Sequence, residues 1–158
     1  HALADQFRFK TAHRIYWAIV HGRPLKSEMT IRSHLARHPR DRKKFSSQES
    51  GNGKLAITHV KMIETLPAGL SWLQCQLETG RTHQISVHLS ENSLQIVGDP
   101  IYGLRRKNKN DELAERLLLH ACELGFVHPT TRENLFFKVS WPKETAAIIQ
   151  RMGFKYDS

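Results

Sequence analysis

The most constraining feature of the sequence is residues 77–103, which read LETGRTHQISVHL, a short linker and then VGDPIYG. A loosely alternating apolar run, residues 72–77, precedes the motif and is typical of a half-buried strand. Gly80 ends that strand, because glycine accepts backbone angles that other residues avoid. Ile85 and Leu89 then lie four positions apart, as one face of a helix requires. The motif therefore predicts a strand, a turn and a helix.

Polar side chains are concentrated at the predicted turn. Four residues that carry hydrogen-bond donors and acceptors follow Gly80: Arg81, Thr82, His83 and Gln84. Further on, a second tight loop is predicted around Tyr102 by Gly98, Asp99, Pro100 and Gly103. Groups able to hold an anion are thus expected on a rigid turn between core elements.

These two motifs resemble the active-site motifs of the RluA-type pseudouridine synthases, which isomerise uridine in ribosomal and transfer RNA. The family pattern is close to L-x-T-G-R-T-H-Q-I-R-V-H, followed by G-D-x-x-Y-G. The chain departs from it once, with Ser86 where the family usually has arginine. The alternative is a helix that merely caps a sheet, but a match of this length is far more specific than a lone glycine-rich loop.

The size and charge of the chain agree with an RNA-binding domain. Its 158 residues are enough for one domain with a core, and the 24 Lys and Arg residues against 15 acidic residues give a formal charge of +9. Such an excess suggests an RNA or DNA partner, since cations that neutralise phosphates release counterions. A basic surface that serves only solubility is the alternative. No apolar run is long enough to span a membrane, and no signal peptide is recognised.

Cysteines and histidines give no indication of a metal site. Cys75 and Cys122 lie far apart in apolar, strand-like contexts, which predicts buried thiols in a reducing compartment. His83 and His88 are five positions apart and so do not share a helix face, and no CxxC or HExxH spacing occurs. We therefore predict that the chain binds no metal.

The first part of the chain predicts a helix and then a strand. Leu3 and Phe7 are one helical turn apart, and residues 15–20 are apolar and rich in aromatic and β-branched types. The family similarly follows a helix ending in Q-F with K/R-x-Y-x-A-hydrophobic-V-x-G. The residues that match it are Arg14, Tyr16, Ala18, Val20 and Gly22. Tyr16 alone would be taken for a core tyrosine, whereas the resemblance places it in the active site beside the target base.

Residues 24–45 form a polar, basic segment. Its cations cluster around Asp41 and are Arg37, Arg40, Arg42, Lys43 and Lys44. Charge density alone allows either a mobile solvated hairpin or a finger that contacts phosphates. The family has a comparable H-P-x-D-R-x-K segment between two strands, which favours RNA contact.

The middle of the chain predicts an antiparallel hairpin. A turn-rich linker, residues 46–53, leads into an alternating strand over residues 53–66, in which Leu55, Ile57 and Val60 are expected to share one face after a slip. Residues 67–69 form the turn and residues 70–77 the returning strand. The positions that resemble the family's G-K-x-A-x-T-H are Gly53, Lys54, Ala56, Thr58 and His59.

The last third predicts an exposed, flexible basic segment over residues 104–111 and a short helix around residues 113–117. Strands follow over residues 120–127 and 135–139, and an amphipathic helix runs from Pro142 to Gly153. The expected fold is α+β, with a mixed, mostly antiparallel sheet flanked by helices. The chain is interpreted as a single partial catalytic domain, residues 1–158.

The resemblance also implies a chemistry without metal or organic cofactor. An aspartate attacks the substrate covalently, a basic residue pairs with that carboxylate, and a tyrosine packs against the base. By position, Tyr16 and Arg81 are the catalytic candidates. The RNA-binding candidates are Arg40, Arg42, Lys43, Lys54, His83 and Gln84, of which the last three are assigned either structural or RNA-contact roles.

The family nucleophile is not found in this sequence. It lies in H-R-L-D-x-x-T-S-G, upstream of the Q-F helix, and no such string occurs here; Asp99 is better suited to capping its turn. The chain alone is therefore predicted to be inactive. It is either a fragment of a ribosomal RNA pseudouridine synthase, which the non-Met start favours, or an inactive RNA-binding or ribosome-associated relative.

We expect a cytoplasmic or organellar location, and an upstream segment or self-association that covers apolar sheet edges.

Overall fold

A computed structural model describes residues 3–5, 12–49 and 52–157. Its strands are β1 (His13–His21), β2 (Glu28–Arg37), β3 (Phe45–Gln48), β4 (Lys54–Leu66), β5 (Leu70–Leu77), β6 (Leu119–Val127) and β7 (Asn134–Lys138). Its helices are α1 (Gln84–Glu91), α2 (Lys109–Ala114) and α3 (Lys143–Met152). The strands form one sheet in the order β3-β2-β4-β5-β1-β6-β7, and each described pairing is antiparallel. The predicted α+β class is confirmed.

The interior strand β1 is apolar on both sides because the sheet is covered on both faces. Ala18 and Val20 pack with α1 residues such as Leu89 on one face. The alternate residues Trp17 and Ile19 pack on the opposite face. The aromatic residues of that second face, together with Ile149 of α3, form its core: Trp17, Trp72, Trp141 and Phe154. Burial on both faces explains why this strand reads as a continuous hydrophobic run.

A bulge in β4 changes which residues face which core. Pairing with β5 is regular from Thr58 to Met62 and shifts between Met62 and Glu64. Before the shift Val60 joins the core beside α1, and after it Leu66 packs against the aromatic core. The slip predicted from sequence is therefore real. The expectation that Ile57 and Val60 share a face is wrong, because the slip lies beyond both residues.

Most predicted elements are confirmed, with three corrections. β2 occupies the middle of the segment interpreted as a polar excursion, and β3 begins the segment interpreted as a linker. The short helix lies at Lys109–Ala114, earlier than predicted. The end of the segment that was predicted to be flexible is therefore helical, and its last residue, Asp111, is buried. The described residues 3–5 are helical, while Gln6 and Phe7 of the predicted first helix lie outside the described residues.

The sheet ends in two different edges. β3 is short and mostly polar, whereas the edge at β7 presents three large exposed apolar side chains: Phe136 and Phe137 on the strand and Val139 just after it. An apolar edge strand of this kind is a site where proteins pair with further chain or with a partner. The prediction that an upstream segment or self-association covers such an edge stays a prediction. Within the described residues, no helix is long and apolar enough to cross a membrane.

Both cysteines are buried and free, as predicted. Burial raises the pKa of the Cys75 thiol and of the Cys122 thiol to about 12 each. Neither thiol is therefore a reactive nucleophile at neutral pH.

A buried carboxylate joins β1, α2 and the loop after residue 97. Asp111 Oδ1 lies 2.8 Å from His21 Nε2 and accepts a 2.9 Å hydrogen bond from the backbone N–H of Gly98. Its Oδ2 accepts from the Asn108 N–H at 2.9 Å. Gly98 has φ 78°, and a Cβ there would lie 2.0 Å from the Arg116 carbonyl oxygen. The loop thus depends on a glycine and on this carboxylate.

Replacement of Asp111 by asparagine is expected to destabilise the fold by about 2 kcal/mol at neutral pH. Burial alone would raise the pKa of Asp111, but hydrogen bonds from Gly98, His21 and Asn108 outweigh it and lower the pKa. A lowered folded-state pKa stabilises the fold above the ordinary aspartate value of about 4, and this contribution is lost as the pH falls through the folded-state pKa.

Thermal unfolding of wild type and Asp111→Asn, measured from pH 7 to pH 3, tests this expectation. The difference in melting temperature should shrink below about pH 4. The exposed Glu112→Gln in the same helix is the control and should change little. An Asp111→Asn deficit that is constant over this pH range would contradict the assignment.

Candidate active site and nucleic-acid interface

The turn between β5 and α1 is held by the side-chain amide of Gln84. Its Oε1 accepts hydrogen bonds from the Thr79 hydroxyl at 2.7 Å and from the Arg81 N–H at 3.0 Å. Its Nε2 donates to the Ile57 carbonyl at 3.0 Å and to the Thr58 hydroxyl at 2.9 Å. The amide is thus fully paired, and Gln84 is 2% exposed. Of the two roles considered for Gln84, the geometry favours the structural one over RNA contact.

His83 connects this turn to the start of β3, next to the β2–β3 loop. It precedes α1 with φ 56°, in the left-handed region, and its Nδ1 lies 2.7 Å from the Tyr102 hydroxyl. That hydroxyl also accepts from the Phe45 N–H at 2.8 Å, and the Phe45 ring packs edge-on against His83. Burial raises the pKa of Tyr102, so the phenol stays neutral at physiological pH. His83 therefore has a fixed position while remaining exposed.

Gly80 allows a second guanidinium to approach the turn. A Cβ at this position would lie 2.3 Å from Nη1 of Arg14, so a larger residue would displace that side chain. Burial lowers the pKa of the Arg14 guanidinium, which nevertheless remains charged at neutral pH. From the sequence, Arg14 was only a motif position. Its spacing of two from Tyr16 on a strand was the signal that both side chains share a face.

Tyr16 and Arg81, the predicted catalytic residues, line one cavity of about 290 Å³. Arg81 Nε donates to the Leu55 carbonyl at 2.9 Å. Neither the Nη atoms of Arg81 nor the Tyr16 hydroxyl has a hydrogen-bond partner among the described residues. The other polar lining residues are Arg14, His83, Gln84 and Ser86, and the apolar wall is Leu77, Ile85, Leu117 and Leu119. An aromatic face, cations and an apolar wall suit a planar base attached to a phosphate.

A neighbouring cavity of about 510 Å³ shares His83, Ser86 and Leu117 with the first. Asp99 lines it and accepts hydrogen bonds through Oδ1 from the Ile101 and Tyr102 N–H groups, which confirms its predicted turn-capping role. In the described part of the chain, no aspartate lines the cavity that contains Tyr16. Likewise, no cluster of metal-ligating side chains occurs among residues 3–5, 12–49 and 52–157.

The basic loop between β2 and β3 is ordered by its own hydrogen bonds. His38 Nδ1 accepts from the N–H groups of Arg40 and Asp41, and the Asp41 carboxylate accepts from the Lys43 N–H at 3.0 Å. Arg37 lies 5.2 Å from the centre of the Phe45 ring and donates to a loop carbonyl at 2.8 Å. Four candidate RNA ligands are exposed, of which the first three lie on this loop and the last begins β4 beside β2: Arg40, Arg42, Lys43 and Lys54.

Comparisons with known proteins agree with this geometry. The family model described as RNA pseudouridylate synthase matches residues 1–91. Ribosomal large subunit pseudouridine synthase D of Zymomonas mobilis subsp. mobilis is 36% identical over 154 residues, which cover 95% of this chain and 48% of that protein. An uncharacterized RNA pseudouridine synthase of Synechocystis is 41% identical over 135 residues, covering 84% of this chain and 40% of that protein. The chain spans about half the length of these curated relatives.

Solved structures show the same fold. The human RNA pseudouridylate synthase domain containing 1 superposes with a TM-score of 0.76 at 26% identity, covering 92% of this chain and 62% of that one. The human RNA pseudouridylate synthase domain containing 4 superposes with a TM-score of 0.79 at 20% identity, covering 100% of this chain and 69% of that one. The matched motifs, the sheet and the cavity lead to one conclusion: the chain belongs to the RNA pseudouridylate synthase family, in its RluA-type branch.

Proposed function

We propose that the protein carrying this chain is an RNA pseudouridine synthase that converts a uridine of ribosomal RNA to pseudouridine. The observation that carries the proposal is that Tyr16 and Arg81, from distant parts of the sequence, line one small cavity near a basic hairpin. Relatives named for the ribosomal large subunit favour ribosomal RNA over transfer RNA as the substrate.

The cavity supports distinct roles for its two main side chains. The Tyr16 ring packs against an extruded uracil, which replaces part of the stacking lost from the RNA, and its hydroxyl serves the later proton removal. The Arg81 Nη atoms are available for a carboxylate, because only Nε is used within the described residues. A guanidinium in this position keeps an attacking aspartate ionised and oriented.

The reaction requires an aspartate, and none of the described residues that line the cavity is one. The family supplies it in the H-R-L-D-x-x-T-S-G string, which is absent from the sequence. Our proposal therefore assigns the nucleophile to a further segment of the gene product, and it treats the chain alone as inactive. It includes no cofactor, and it assigns a cytoplasmic or organellar location where ribosomal RNA is made.

A second function is an RNA-binding relative that has lost catalysis. In its favour, none of the described residues that line the same cavity carries a carboxylate. The basic hairpin, with Lys54 and the fixed His83, suffices for RNA contact in either case. Formation of pseudouridine by the product of the complete coding sequence separates the two functions.

Replacements of Tyr16 and Arg81 test the catalytic roles in that complete product. Tyr16→Phe removes the proton acceptor and should lower the rate about a hundredfold, and Arg81→Ala should cause at least as large a loss. The measurement is nucleoside analysis of ribosomal RNA after incubation. Tyr156→Phe, an exposed tyrosine outside this cavity, is the matched control and should keep full activity.

Two results would decide against these assignments. If both variants keep the activity of the wild type, neither Tyr16 nor Arg81 takes part in the reaction. RNA binding by the wild type without any pseudouridine would establish the second function instead.

Charge neutralisation of the hairpin tests RNA contact. The triple variant Arg40→Gln, Arg42→Gln and Lys43→Gln should bind RNA more weakly and lower the slope of log affinity against log salt by about 2, because three phosphate contacts are lost. Filter binding or fluorescence anisotropy over a salt series gives this slope. An unchanged slope would exclude the hairpin from phosphate contact.

The control for that experiment removes the same charge elsewhere. Lys138, Lys143 and Arg151 are exposed cations on β7 and α3, and their replacement by glutamine gives an equal change in net charge. This control should leave most of the salt dependence intact. An equal effect of both triple variants would mean that only overall charge matters.

A further inference from the structure

His88 is a fully buried histidine that lies in neither cavity. Its Nδ1 is 2.8 Å from the Thr58 hydroxyl on β4, and its Nε2 is 2.9 Å from the Ser33 hydroxyl on β2. Ser33 in turn contacts the Ser47 hydroxyl on β3 at 2.8 Å. One histidine of α1 therefore connects to three neighbouring strands.

The contacts continue to both ends of α1. At the outer end, the hydroxyl and N–H of Ser47 both bind the carboxylate of Glu91, the last residue of the helix. At the inner end, Thr58 accepts from Gln84, the first residue of the helix, which also binds the Arg81 N–H. We name this series the His88 relay: Gln84, Thr58, His88, Ser33, Ser47 and Glu91.

Because each hydroxyl has one proton, the donor and the acceptor of each hydrogen bond in the relay can be assigned. The Glu91 carboxylate only accepts, so the single hydroxyl proton of Ser47 points to Glu91. The Ser33 proton must then point to Ser47, which leaves the Ser33 oxygen to accept from His88. His88 consequently carries its proton on Nε2.

The same assignment continues from His88 to the turn. Nδ1 of the neutral imidazole accepts from the Thr58 hydroxyl, whose oxygen accepts from the Gln84 amide. Every relay proton then has an acceptor. A second proton on His88 would leave the Thr58 hydroxyl proton without an acceptor among the relay atoms, and burial independently lowers the pKa of His88. Glu91 is the only charged group of the relay.

We propose that His88, as the neutral Nε2–H tautomer, is a positioning residue that fixes the basic hairpin relative to the Arg81 turn. β2 and β3 carry the loop with Arg40, Arg42 and Lys43, and Gln84 holds the backbone of Arg81. Movement of the hairpin against the turn breaks at least one relay bond. The assignment of the tautomer does not depend on the proposed function, whereas the effect on RNA modification rests on it.

The first test reads the tautomer directly. Long-range proton–nitrogen NMR correlations of histidine-labelled protein distinguish the Nε2–H, Nδ1–H and doubly protonated rings. The expected result for His88 is Nε2–H from pH 6 to pH 8. An Nδ1–H or a charged ring would overturn the proposal, whatever the enzyme activity.

The second test separates hairpin placement from chemistry in the complete gene product. Ser33→Ala and Ser47→Ala interrupt the outer end of the relay, and each should raise KM for RNA about fivefold, the equivalent of one lost hydrogen bond, with little change in kcat. Thr58→Val interrupts the inner end beside Gln84 and should lower kcat instead. A general loss of stability would not raise KM in the outer variants and lower kcat in the inner one.

Two controls accompany these variants. Ser46→Ala removes the neighbouring β3 hydroxyl, which accepts from Gln48 and lies outside the relay, and it should leave KM unchanged. Ser47→Thr keeps the hydroxyl and should restore a wild-type KM. Equal effects of Ser46→Ala and Ser47→Ala, or no rescue by threonine, would overturn the positioning role.

A wild type that forms no pseudouridine would refute the proposed function and leave the tautomer test intact. RNA affinity then replaces KM as the readout of hairpin placement, with the same variants and controls.

Discussion

The side-chain amide of Gln84 is the interaction on which the site depends. It uses both hydrogen atoms and both acceptor positions, and its partners lie on β4, on Thr79 and on the Arg81 backbone. Because an unpaired amide at this depth would cost roughly 1–3 kcal/mol per lost partner, the turn and the strand hold each other in one arrangement. Gln84 fixes the Arg81 backbone at the end of β5, and β5 pairs directly with β1, which carries Tyr16; the two side chains therefore line one cavity.

Sequence periodicity predicted the elements whose burial is regular. The apolar run of β1, the β4–β5 hairpin and the helix face of Ile85 and Leu89 were all readable, because each has a clear inside and outside. β2 was missed because most of its exposed positions carry charge and most of its inward positions are only half buried, so that the basic character of the segment obscured its alternation. Three of the four residues of β3 are polar, and only pairing with β2 makes the segment a strand.

Contacts over long sequence distances account for the rest of what the sequence did not predict. Asp111 ends a basic segment interpreted as exposed, yet it is buried because His21, 90 positions earlier, supplies a partner. His88 was considered only as a metal ligand, and its actual partners lie 30 and 55 positions away. The motif match predicted which residues belong to the candidate site. It could not show that Gln84 faces the protein interior or that Arg14 approaches Gly80.

Ser86, the one departure from the central motif, acquires meaning from its position. It borders both cavities, so a longer side chain here would extend into one of them and narrow the space beside Tyr16. Serine removes a cation from this boundary, but Lys107 and Arg116 line the neighbouring cavity and Arg14 lines the first. Cations thus still line both cavities. Since phosphates require positive charge near the base and not at one fixed atom, the altered motif is compatible with the extruded nucleotide of the proposed function.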